Sequence, residues 1–121
     1  MLTNDMKLAR LERARDKAVD KWTHLRQKRG DILFDVALLA GSKVWSSGED
    51  LASYVNALAT VNTMHDGETP AYHQAVVTVL KDKAAECLEL DERIRQAWES
   101  ALAKSAAYMD YVKANRPAAT A

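Results

Sequence analysis

No second cysteine accompanies Cys87, so the chain can close no internal disulfide and carries no paired-cysteine metal motif. Long apolar runs are missing as well. The longest, Ile32 to Ala40, is broken by Asp35 and falls far short of the ~20 residues a bilayer requires, so no membrane partner is expected. Residues Met1 to Arg29 alternate charges from Asp5 onward and lack the apolar core of a secretory leader. Together with the single thiol, this makes a reducing cytoplasm the expected location. There is no Gly-rich phosphate loop, no Gly-x-Ser-x-Gly and no His-Glu-x-x-His. Neither an enzymatic reaction nor a cofactor is expected.

Glycine and proline are equally sparse. Gly30, Gly41, Gly48, Gly67, Pro70 and Pro117 all lie at candidate element boundaries and leave the stretches between them free to be helical. The chain has 121 residues, 48% of them apolar, enough for one domain with a real core. The expected fold is an all-α helical bundle, with two long amphipathic helices over about residues 5–40 and 70–115 and a shorter middle helix over about 48–65. A single helical domain over 1–116 and a short flexible tail over 117–121 complete the organisation.

Residues 71 to 116 run without one Gly or Pro and repeat apolar side chains at three- and four-residue steps. The seam is Val77, Leu80, Ala84, Cys87, Asp91, Ile94, Trp98, Ala101, Ser105, Tyr108 and Val112, the a and d positions of a heptad. The first segment repeats the pattern at Leu8, Leu11, Arg15, Ala18, Trp22, Leu25, Arg29, Ile32, Val36 and Leu39, with Gly30 on an outer position. At about 1.5 Å per residue the three helices measure roughly 54, 25 and 69 Å, so the short middle helix cannot cover the long ones. Bare seams are then expected to pair with another copy, giving a homodimer or higher homo-oligomer through coiled-coil-like packing, the rival being a break near Leu90 and Asp91 that folds the last helix back into a compact four- or five-helix bundle. The residues expected on that seam are Leu8, Leu11, Trp22, Leu25, Arg29, Asp91, Ile94, Trp98, Tyr108 and Val112. Arg29 and Asp91 are expected to pair across an antiparallel contact and set its register, the rival being that both reach to water.

The net charge of zero hides a division along the chain. Residues 1–30 hold nine Lys or Arg against four Asp or Glu, residues 31–70 one against six, and residues 71–121 seven against seven. Arg10, Arg13, Lys17, Lys21, His24 and Lys28 share one helical edge, to which a phosphate backbone could dock. Glu12, Asp16 and Asp20 line the adjacent face, and no aromatic side chain interleaves the cations, so a solvated helix face is favoured over a nucleic-acid site. A helix-turn-helix over Glu49 to Leu80 is disfavoured, because only His73, Gln74 and Thr78 offer base-reading groups. His65, Asp66, Glu68, Tyr72 and His73 gather at the second turn, where ordinary turn chemistry is favoured over a metal site. Cys87 reads as a packing residue.

Trp45 to Gly48, lying between two helical segments, is superficially similar to the Trp-x-Gly hairpin of small secreted helical-hairpin proteins. It carries one extra residue, and the break from Gly67 to Pro70 departs from those hairpins, so membership is not claimed. Trp45 is expected either to fold onto the helix ends or to anchor a partner. The function these readings support is a non-enzymatic helical protein–protein interaction module that self-associates and occupies the surface of an unidentified protein partner, as an assembly factor, adaptor or inhibitor. The alternative is a nucleic-acid-binding protein using the first helix.

Overall fold

A computed structural model describes residues 3–41, 44–64 and 71–115. Three helices make up the chain: α1 (Asn4–Ala40), α2 (Gly48–Met64) and α3 (Ala71–Ala114). The two long helices pack against each other and against the shorter α2, an all-α bundle as the punctuation predicts. The cluster from His65 to His73 lies outside the residues whose side chains are described, as does the tail over 117–121.

Local chemistry sets each boundary. Thr3 caps α1, its Oγ1 accepting from the Met6 N–H at 3.1 Å and its carbonyl from Lys7 at 3.0 Å. The helix continues through Gly30, where an added methyl group would meet nothing within 4 Å; this is the cheap, outward position that the heptad register assigns it. Gly41 ends α1 in the left-handed region at φ 62°, which favours glycine. α3 also runs unbroken past Asp91, and Lys113 sits favourably in its last turn.

The helices contribute to two compact units, one of Leu25–Arg93 and one of Met1–His24 with Ile94–Ala121. In the first, which holds α2, Leu33 and Val36 of α1 meet Leu51 and Val55 of α2 and Leu80, Ala84 and Cys87 of α3 in a closed three-helix core. Ile32, Trp45, Tyr54 and Leu58 pack around it. α1 departs here from its expected seam: Leu39 is exposed, while Leu33 and Ala37 are buried. The physical reason is α2, which packs beside the a/d line and widens the buried face toward the neighbouring positions.

The second unit has only two helices. α1 runs antiparallel to the end of α3, with the Trp22 and Trp98 rings 4.7 Å apart, the Arg15 guanidinium 4.2 Å above the Tyr108 ring, and Tyr111 Oη donating to Asn4 Oδ1 at 3.1 Å. The long helices thus cover part of each other's seam within one chain, where the sequence pattern anticipates bare projections. Coverage is incomplete. No residue of α1 between Asn4 and His24 is buried, and on the part of α3 from Ile94 onward only Ile94, Ala97 and Ala101 are, among the described residues. A two-helix layer has no third wall, so its contact residues stay open on both flanks.

Candidate interaction surface

Within the three-helix unit, Asp91 organises the start of α2. Its Oδ1 accepts from Arg29 Nη1 at 2.9 Å and from the Gly48 N–H at 3.1 Å, and its Oδ2 accepts from the Glu49 N–H at 3.0 Å. Ser47 completes the cap, its Oγ taking the Asp50 N–H at 3.2 Å and its carbonyl the Leu51 N–H at 3.2 Å. The N–H groups of Gly48, Glu49 and Asp50, which the helix start leaves without intrahelical partners, are therefore all satisfied. Ser46 Oγ also donates to the Asp50 carboxylate. The expected Arg29–Asp91 pair forms inside a single chain and also fixes where α2 begins.

Gly48 explains how the carboxylate reaches so far. It is buried directly against the α3 backbone, where an added Cβ would lie 2.6 Å from the Leu88 nitrogen. Only glycine allows that approach. Cys87, at the same crossing, is fully buried in the core. Burial pushes its thiol above the ordinary range, and the Asp91 and Glu86 charges push in the same direction. Such a thiol packs rather than reacts.

The other expected seam residues divide between the units. Leu25 is buried in the three-helix unit, where Arg29 and Asp91 are half-buried. In the two-helix unit Ile94 is buried; Leu8, Leu11, Trp22, Tyr108 and Val112 are half-buried; Trp98 stands at the edge, 43% exposed. Trp45 is half-buried too, its ring 4.9 Å from that of Tyr54 and packed on the core; of its two expected roles, the structure shows the folded one.

Sequence reasoning missed the flank of this seam. Leu102 and Met109, 51% and 47% exposed, occupy the e positions beside the a position of Trp98. Arg95, Trp98, Leu102, Met109 and Lys113 are all exposed at helical spacing along one face of α3, an apolar stripe with a cation at either end. Arg95 pairs with Glu99 at 2.6 Å. The signal was available: Leu102 and Met109 are one heptad apart, and a three-position apolar face would have included them. Near the stripe, Leu8, Met109 and Val112 line an open depression of about 690 Å³, bordered by Asn4 and Tyr111.

The cationic edge of α1 is also accessible. Arg10, Arg13, Lys17 and Lys21 are exposed in the two-helix unit, and Lys28 in the other. The Arg15 guanidinium is pushed further up by its hydrogen bond to Asp16, which it meets at 3.0 Å. Among the described residues no three His, Cys, Asp or Glu side chains group to hold a metal ion, and no helix is long and apolar enough to cross a membrane. No family model, curated protein or solved structure matches the chain.

Proposed function

We propose that this chain is a non-enzymatic helical interaction module that self-associates and works by occupying the surface of a protein partner, as an assembly factor, adaptor or inhibitor does. The observation that carries the reading is the stripe of Trp98, Leu102 and Met109, three large apolar side chains left in water on one face of a unit with only two helices. Each such side chain removed from water is worth about 1.5–3 kcal/mol when burial is complete, and contiguous exposed apolar surface of this kind marks contact sites. Self-association is tested by light scattering on the full chain. A native mass of one chain at every accessible concentration removes that part of the reading.

The exposure of Arg10, Arg13, Lys17, Lys21 and Lys28 keeps nucleic acid as the second reading. Glu12, Asp16 and Asp20 on the adjacent face oppose a polyanion there. Fluorescence anisotropy with DNA and RNA at two salt concentrations separates the readings: counterion release requires affinity that falls steeply with salt, and absent binding eliminates nucleic acid.

A further inference from the structure

Both helices of the two-helix unit contribute to one open apolar flank. On α1, half-buried Leu8 and exposed Val19 stand eleven residues apart, close to three full turns, and so share one line of the helix. On α3, Trp98 and Met109 are also eleven residues apart, with Leu102 between them. Leu8 and Met109 line the same depression, which puts the two lines on the same flank of the antiparallel pair. Eleven residues on from there, along each helix in opposite directions, Val19 comes level with Trp98. The contact of Trp98 with Trp22, three residues past Val19, at 4.7 Å agrees with that level. Four apolar corners thus outline a rectangle roughly 16 Å long.

We infer that a second copy of this chain docks on this flank, presenting the same flank across a two-fold axis that runs between the two layers, at right angles to the helices and level with the centre of the rectangle. This contact is the self-association proposed above, on which it rests, with its surface and register named. The rectangle is its own complement: the axis sets Leu8 on the second copy's Val19 and Trp98 on the second copy's Met109, each contact made twice, with Leu102 beside the axis. Charge agrees with the same register. Glu12 and Arg15, 3.9 Å apart, straddle the midpoint between Leu8 and Val19, so the axis brings each against the other's copy and opposite charges alternate across it. A strongly acidic or basic flank would favour a partner of opposite sign, whereas here Arg15 is balanced by Glu12 and Arg95 by Glu99. Two such layers stacked make a four-helix bundle in which every neighbouring helix is antiparallel, and each supplies the layer the other lacks.

Cross-linking with a short bis-maleimide on the full chain reads the register. The native Cys87 is fully buried, and wild type treated in parallel shows its background. Leu102→Cys, beside the axis, is expected to link to its own copy. Val19→Cys, whose copy lies at the far end of the rectangle, is expected not to link to itself but to link when mixed with Leu8→Cys. Wild type is expected to sediment as two chains. Leu102→Glu, which sets two glutamates beside the axis, should weaken the dimer dissociation constant by about tenfold or more, with circular dichroism verifying that each variant folds. If wild type is monomeric, self-association and this contact fall together. If wild type is dimeric but Leu102→Cys does not link, or Val19→Cys links to itself as readily as to Leu8→Cys, or Leu102→Glu dimerises as tightly as wild type, self-association stands and this contact alone is overturned.

Discussion

Arg29 Nη1 donates to Asp91 Oδ1 at 2.9 Å, and the same oxygen accepts the first N–H of α2 from Gly48. One carboxylate therefore ties three helices at a point where both charged side chains are mostly, though not wholly, withdrawn from water. Removing it strands a guanidinium and two helix-start N–H groups together. Asp91→Ala is expected to cost about 2–4 kcal/mol, and Asp91→Asn, which keeps one acceptor, about half as much. Urea unfolding at neutral pH measures both. A double-mutant cycle with Arg29→Gln should return a coupling of about 1–3 kcal/mol, and additivity would show that the pair contributes nothing jointly.

Two glycines should respond in opposite directions to the same change. Gly48→Ala drives a methyl group into the Cys87–Leu88 backbone and is expected to cost about 3 kcal/mol or more, because backbone cannot yield as a side chain can. Gly30→Ala meets open space inside a helix and should stabilise by about 0.5–1 kcal/mol. Thermal melts of the two variants beside wild type are sufficient; equal shifts would contradict the close helix crossing.

Cys87 gives a pH dependence with a definite sign. Its thiol is raised in the folded chain by burial and then by the Asp91 and Glu86 charges, so the folded state keeps a proton that the unfolded chain releases. The associated stability is fully present below the unfolded thiol's range, near pH 8.5, and is lost as pH rises beyond it. The stability difference between wild type and Cys87→Ala should therefore shrink between about pH 8 and 10. In native protein the thiol should react with a maleimide far more slowly than after denaturation. Equal labelling rates would show that it is accessible.

Unequal coverage should make the two units unequally protected. The core of Leu33, Leu51, Val55, Leu80 and Cys87 is closed on all sides, whereas no side chain of Asn4 to His24 is fully buried. Amides of α1 before His24 and of α3 beyond Ile94 are expected to exchange at lower opening free energies than those around Val55 and Ala84. Hydrogen exchange read by mass spectrometry resolves this. Removing the Trp22–Trp98 contact with Trp22→Ala should raise exchange most in the two-helix unit.

Helix positions were legible because their determinants are local: Thr3, Gly41 and Ser47 act on neighbouring backbone groups, and the gaps between glycines and prolines did the rest. The Arg29–Asp91 pair was legible for a different reason, since charges on otherwise apolar seams demand partners. The arrangement of the seams was not. Heptad spacing identifies a helix face that needs covering, but it does not say whether α1 and α3 of one chain or of two will cover it. Leu39 shows the same limit at one residue, because its exposure follows from where α2 lands. Leu102 and Met109 escaped because a strict a/d reading is narrower than the face a bundle helix uses. The exposed pair Phe34 and Leu38 lies off the a/d line altogether, apolar side chains on the outer face of α1.

The pairing of Asn4 with Tyr111 spans 107 residues, that of Arg29 with Asp91 only 62. During synthesis at ~5–20 residues per second, the first turns of α1 leave the ribosome several seconds before the α3 segment that shelters them exists. Leu8 and Leu11 are therefore made well before the α3 residues Met109 and Val112, which stand beside Leu8. By loop-closure entropy, pairing Arg29 with Asp91 first shortens the loop that remains, so the ends of α1 and α3 are expected to pair outward from Trp22 toward Asn4. Until those ends pair, the half-buried side chains of Leu8 and Leu11 face water along an open helix edge.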